Sequence, residues 1–348
     1  MAGIYYEQVV IDKQLTLNGT NASESIIDGG DTTAVTISAN NVTIDGFTLD
    51  GGITLDDTAN PISGGTISNN IITGADNPET TPPKAANGIR LGWDDGIGVD
   101  YITIENNIIK NSLCKGIRFA CSNKYTSWGG TTPGNSYITI HNNEIKDNGS
   151  AGIETYGLGS NTITGNTING NSGNGINLKF DDDDVVTSNI ITNNTGPGIT
   201  LRGVTNSTVE NNNISGHRSL DTFPPDHSVI GGKGSGIHIF FASKDNTIRF
   251  NDISDNNFGI LIRTKKDKLQ PSDNSINFNN IVGNIYYGIL NTLVDSTYRV
   301  DATDNWWGHA SGPSGLVEDP DTLEIANGSG DKVSENVNFY PWSSESQY

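Results

Sequence analysis

The chain has 348 residues, with 20 Lys plus Arg against 40 Asp plus Glu and a formal charge of −20. That balance argues against general nucleic-acid binding, and the lack of an 18-residue apolar run argues against membrane insertion by a helix. Apolar residues make up 33% and 42 glycines add to them, so a buried core is feasible, while charged residues reach only 17%. The opening MAGIYYEQVV has neither a basic n-region nor an apolar h-region, so no signal peptide is expected in this sequence. Two cysteines, Cys114 and Cys121, are too few for a disulfide scaffold. They flank one short strand, too far apart when extended to bridge, so free buried thiols are expected.

Taken in chain order, the elements repeat. An apolar-alternating run leads to N-x-I, then a polar turn, then G-I-x-apolar. The N-x-I asparagines fall at 70, 107, 143, 166, 189, 212, 251, 279 and 305, and three consecutive steps are 23 residues. The longer steps read as the same unit plus inserted loops. A parallel column of G-I pairs runs from Gly52-Ile53 to Gly288-Ile289. Each unit holds short period-2 runs such as Tyr137-Ile138-Thr139-Ile140, which cannot bury their apolar face alone but can when coils stack. β-Branched residues suit these strands, and Gly, Asn and Asp suit corners that need positive φ. Stacked asparagines can hydrogen-bond along the stacking axis. A leucine-rich repeat shares the period but needs fixed leucines and a helical segment, and neither is present. The expected fold is all-β: a single-stranded right-handed parallel β-helix over 1–308, with 309–348 as a C-terminal capping segment of the same domain.

On these registers the chain resembles the right-handed parallel β-helix superfamily, with its pectin-lyase-like and PbH1-repeat members, over roughly residues 9 to 308. The ending Asp304-Asn305-Trp306-Trp307-Gly308, Ser311-Gly312-Pro313 and Tyr340-Pro341-Trp342 resembles the closing segment of many secreted or surface-attached β-helix proteins. Trp306 and Trp307 are expected to cover the open last coil, with a sugar-stacking platform as the alternative. The resemblance implies a carbohydrate-active protein, secreted or at the cell surface. It names no catalytic family, because the motif sets of polygalacturonases, pectate lyases and mannuronan epimerases are not assembled here.

Four insertions, Ala75–Ala86, Ala120–Ser136, Gly216–Gly234 and Thr264–Ser272, flank the G-I strands on both sides and are expected to wall a groove floored by them. Outward positions should form two columns, one through Arg90, Arg118, Glu154, Asn177 and His238, the other through Tyr156, Lys179, Arg202 and Arg263. Neighbours within a column should lie about 4.8 Å apart. Basic residues therefore gather on one face of an acidic protein, which suits an anionic polymer such as a uronate polysaccharide.

For β-elimination, Lys179 is the first choice of base and Arg202 the second, with Tyr156 or His238 protonating the leaving oxygen. Arg118, Arg202 or Arg263 would hold the substrate carboxylate, with Arg90, Asn177 and Trp93 as further binding residues. A hydrolase would need two carboxylates, for which Glu154 with Asp94 or Asp95 is the available set. The run Asp181-Asp182-Asp183-Asp184 is a candidate Ca²⁺ site, since four adjacent carboxylates repel and calcium takes oxygen ligands. β-Helix lyases often bridge substrate carboxylate with calcium, so the resemblance favours that reading over a solvated acidic turn. The sequence thus points to depolymerisation of an acidic polysaccharide, by elimination first and hydrolysis second. A non-catalytic carbohydrate-binding or surface-structural module is the competing class, and monomer and homotrimer both stay open.

Overall fold

The computed structural model describes residues 2–74, 86–93, 96–119, 136–157, 159–218, 232–264 and 268–347. Its strands form three parallel sheets, A, B and C, of 11, 11 and 12 strands. Among the described residues there is no α-helix, only a 3₁₀ turn at Ser296–Tyr298. Among the described residues no helix is long and apolar enough to cross a membrane. The chain divides into two compact units, 1–173 and 174–348.

Each coil gives one strand to each sheet, and the sequence phrases map onto them. In the first unit the T-I-x run becomes a C strand (Thr139–His141), N-x-I opens an A strand (Glu144–Lys146), and G-I-x becomes a B strand (Ile153–Glu154). Strand alternation sends every second side chain inward. Ile104, Ile140 and Ile163 line sheet C, Ile109, Ile145 and Ile168 line sheet A, and Ile89, Ile117 and Ile153 line sheet B, all fully buried. The second unit repeats the pattern with Ile199, Ile237 and Ile260 stacked in register in sheet B.

The asparagines form the hydrogen-bond ladders expected of them. Asn107 Oδ1 accepts from the Asn70 backbone N–H at 2.9 Å and from Asn70 Nδ2 at 3.1 Å, and Asn143 does the same for Asn107. In the second unit the ladder runs Asn189, Asn212, Asn251, Asn279, Asn305. A parallel ladder there substitutes histidine for asparagine: the His217 Nδ1–H lies 3.0 Å from Asn256 Oδ1, and its Nε2 accepts from Asn194 Nδ2 at 3.3 Å. Asp331 ends that ladder, accepting from Gly283 N, Asn284 N and Asn284 Nδ2.

Gly52 in the first G-I pair holds positive φ, but later G-I glycines such as Gly116 and Gly198 answer a different need. A Cβ on Gly116 would sit 2.7 Å from the Gly152 carbonyl oxygen, and one on Gly198 2.7 Å from that of Gly236. Close approach of successive coils thus fixes glycine there, while asparagines such as Asn106 and Asn142 take positive φ at the corners. At the end of the second unit, Val337–Asn338 pairs with Val300–Asp301 in sheet C, and Val333 bridges Ile289 of sheet B. Trp306 continues sheet A beside Asn280 while Trp307 is fully buried. Trp307 therefore packs as a closing residue and offers no face to a sugar.

Candidate functional site

The outer face of sheet B carries the candidate residues, and the register sets them in columns within each unit. In the first unit Thr54, Arg90, Arg118 and Glu154 are aligned on successive strands. Arg90 is fully buried, its Nε donating to the Gly92 carbonyl at 3.0 Å and its guanidinium lying 4.7 Å from the Trp93 ring centroid. This corrects the expectation that Arg90 faces a ligand. The Trp93 ring covers its guanidinium, and Asp57, a buried carboxylate, accepts from Trp93 N at 2.8 Å and from Gly98 N at 2.7 Å. Trp93 is accordingly half-buried. Glu154 pairs with Lys115 Nζ at 3.4 Å, with 12% of its side chain exposed. Tyr156, two residues on, is half-buried. Cys114 is a half-buried free thiol. Cys121, Asp94, Asp95 and most of the four insertions expected to wall a groove lie outside the described residues.

In the second unit the first column runs Asn177, Thr200, His238, Leu261, Leu290. It is not the open floor expected of it: Thr200, His238, Leu261 and Leu290 are buried, the two leucines clustering with Phe258 against Tyr287. The second column runs Lys179, Arg202, Phe240, Arg263, and all four are half-buried. Arg202 lies 5.7 Å from the Phe180 centroid and 5.9 Å from that of Phe240, while Arg263 lies 5.4 Å from Phe240. Phe180 folds across Gly203, where a Cβ would stand 2.7 Å from its ring, and meets Phe241 edge-on at 6.0 Å. Phe180 and Phe241 both hold positive φ, 56° and 44°. That conformation costs a bulky residue on the order of 1–3 kcal/mol, and surrounding packing must maintain it.

Arg202 and Arg263 differ from the other arginines of this unit. Arg218 pairs with Asp255, Arg249 with Glu210 and Arg299 with Asp321. Among the described residues Arg202 and Arg263 have no carboxylate or hydrogen-bond acceptor, only aromatic rings, and Arg202 Nε is enclosed without a partner. In a chain with twice as many acids as bases this is the sharpest electrostatic feature of the face.

His238 is stacked on Phe240 at 5.3 Å, its Nε2 also without a partner. Burial, reinforced by the Arg263 charge, lowers its pKa from 6.5 to about 3. Burial also lowers the pKa of Arg263. His238 is therefore a neutral imidazole at ordinary pH, which removes it as a ready proton donor.

The four aspartates after Phe180 do not converge. Asp181 is buried and accepts from Lys179 N at 2.9 Å, while Asp184 is buried one turn on. Asp182 is exposed and accepts from Thr205 Oγ1 and Asn206 Nδ2, and Asp183 is exposed at positive φ. Among the described residues no three His, Cys, Asp or Glu side chains come together as a metal site. Strand alternation and a tight corner scatter the carboxylates that adjacency in sequence suggested would cluster. The aromatic ring set escaped the sequence reading; its signal was Lys-Phe at 179–180 and His-x-Phe-Phe at 238–241, set at equivalent places in the repeat.

The family profile for the right-handed β-helix region matches residues 8–178 and 98–304. The chain belongs to the right-handed β-helix family. No curated protein sequence matches it. Among solved structures it is similar to the A-module of a mannuronan C-5 epimerase from Azotobacter vinelandii, at 16% identity and TM-score 0.64, covering 88% of this chain and 84% of that one. It is similar to a periplasmic alginate epimerase at 14% identity and TM-score 0.58, covering 85% of this chain and 68% of that one. It is also similar to the catalytic domain of a GH87 α-1,3-glucanase at 16% identity and TM-score 0.54, covering 87% of this chain and 58% of that one. At these identities the likeness is one of fold.

Proposed function

We propose that the outer face of sheet B in the second unit binds an acidic, uronate-containing polysaccharide and that the chain depolymerises it by β-elimination. The observation that carries this reading is the pair of ring-packed arginines, Arg202 and Arg263, without acidic partners among the described residues. The fold relatives add support, since their names are those of enzymes acting on mannuronan, alginate and α-1,3-glucan. An extracellular or cell-surface setting follows from such a substrate.

In the proposed reaction Arg202 neutralises the sugar carboxylate, which acidifies the adjacent C5 proton. Lys179, its in-register neighbour, takes that proton. The electron pair of the C5–H bond forms the C4=C5 double bond, the C4–O bond breaks, and the leaving oxygen takes a proton from the lysine or from water. No step is assigned to His238, which is neutral, or to calcium.

The test is ultraviolet absorbance of unsaturated product together with reducing-end release, over a panel of acidic glycans with calcium or EDTA. Both signals should rise, and Lys179→Ala should lower the rate about 10²–10⁴-fold, as loss of a general base does. Reducing ends without new absorbance move the assignment to a hydrolase using Glu154. Neither signal, with retention on one glycan, makes the protein a binding module.

A further inference from the structure

Arg202 and Arg263 stand two coils apart in one outward column, with Phe240 in register between them. Two strand spacings separate their Cα atoms by ~10 Å. Both guanidiniums pack on that single ring, at 5.9 and 5.4 Å from its centroid. The ring thereby acts as a spacer, holding two cations apart that would otherwise have no reason to keep a fixed separation. Each guanidinium keeps N–H donors in a fork that matches a carboxylate or sulfate.

With their Cα atoms ~10 Å apart and a ring packed between the side chains, the two guanidiniums suit two carboxylates on one polymer better than one shared carboxylate. A pyranose with its glycosidic oxygen advances about one strand spacing, so the two arginines are about a disaccharide apart. Between them, among the described residues, stands Phe240, with the buried, neutral His238 stacked on it. A charge placed there loses its hydration and gains no counter-charge, which is unfavourable.

Resting on the acidic-polysaccharide reading, we infer that the Arg202–Phe240–Arg263 row measures charge spacing along the glycan. It takes a strand lying along the direction in which coils stack, with anionic groups facing the sheet once per disaccharide and an uncharged sugar face between them. A short ligand with one such group engages one arginine, and a ligand with two engages both.

Calorimetric titration with alternating uronate–N-acetylhexosamine di- and tetrasaccharides tests this. The wild-type protein should bind the tetrasaccharide at least tenfold more tightly than the disaccharide. Arg263→Gln should bring the tetrasaccharide down to about the affinity of the disaccharide, and so should reducing one of its two carboxylates to an alcohol. Arg263→Lys, which keeps the charge without the fork, should retain part of the step and shows that the position tolerates change. Equal wild-type affinity for both lengths, or a step that survives Arg263→Gln, overturns the spacing inference while leaving acidic-polysaccharide binding intact. Failure of the wild-type protein to bind either oligosaccharide or any longer acidic glycan overturns both.

Discussion

Two histidines in the second unit sit where protonation is costly, and they make acid stability a residue-scale observable. His217 occupies a rung of an asparagine ladder, and burial lowers its pKa from 6.5 to about 4; His238 falls to about 3. Because the folded values lie below the unfolded one, the unfolded chain binds protons first as pH drops. Their neutral-form stability is thus fully present above pH 6.5 and is lost as pH falls toward 4. Each pH step of one between the unfolded and folded values corresponds to about 1.4 kcal/mol, so His217 accounts for ~3 kcal/mol across that window. His217→Asn restores the residue type found on neighbouring rungs and keeps the donor to the adjoining acceptor. In urea unfolding at pH 7.5 and 4.5 this variant should lose distinctly less stability than wild type between the two values. Equal losses would mean that His217 is hydrated or its rung is open.

At the scale of the strand and turn, the ladder asparagines should matter more than any exposed neighbour. Asn251 Oδ1 accepts from Asn212 N and Nδ2, and its own Nδ2 donates to Val209 O, Arg249 O and Asn279 Oδ1. Asn251→Ala strands several buried groups, each worth about 1–3 kcal/mol when unsatisfied, so a loss of at least ~3 kcal/mol is expected. Asn213→Ala, at an exposed outward position of sheet A, should stay within about 0.5 kcal/mol. Denaturant midpoints measured side by side would decide it, and similar losses would show that the ladder contributes little. Such regularity is why strand order, register and both outward columns were legible in the sequence: identical phrases must stack on themselves. Exposure was not legible. Alternation says that Arg90, His238 and Leu261 point away from the core, yet Asp57 ties a segment beside Arg90, and Phe258 and Tyr287 pack around Leu261. Those contacts depend on irregular residues that belong to no repeat. For the same reason the acidic run read as one cluster although the corner splits it into two buried and two exposed carboxylates.

On the scale of the whole molecule, a net charge of −20 opposes the approach of any polyanion. Long-range repulsion and short-range attraction respond differently to salt. At low ionic strength the Debye length reaches about 30 Å, and an incoming acidic glycan feels the summed negative charge. Near physiological ionic strength it falls to about 8 Å, so distant carboxylates are screened while contacts with Arg202 and Arg263 persist at hydrogen-bond range. These arginines are half-buried among rings, which shields their contacts from screening more than an exposed lysine patch would be. Affinity for an acidic glycan should therefore rise from about 10 mM salt, pass through a maximum near physiological strength and fall as salt approaches about 1 M. The rising limb should lie chiefly in the association rate, because screening acts before contact. Surface-immobilised glycan with salt-resolved kinetics measures both limbs. A monotonic fall in affinity from the lowest salt upward would mean that the cationic row sets the field the ligand meets, and that the acidic remainder of the molecule lies too far away to matter.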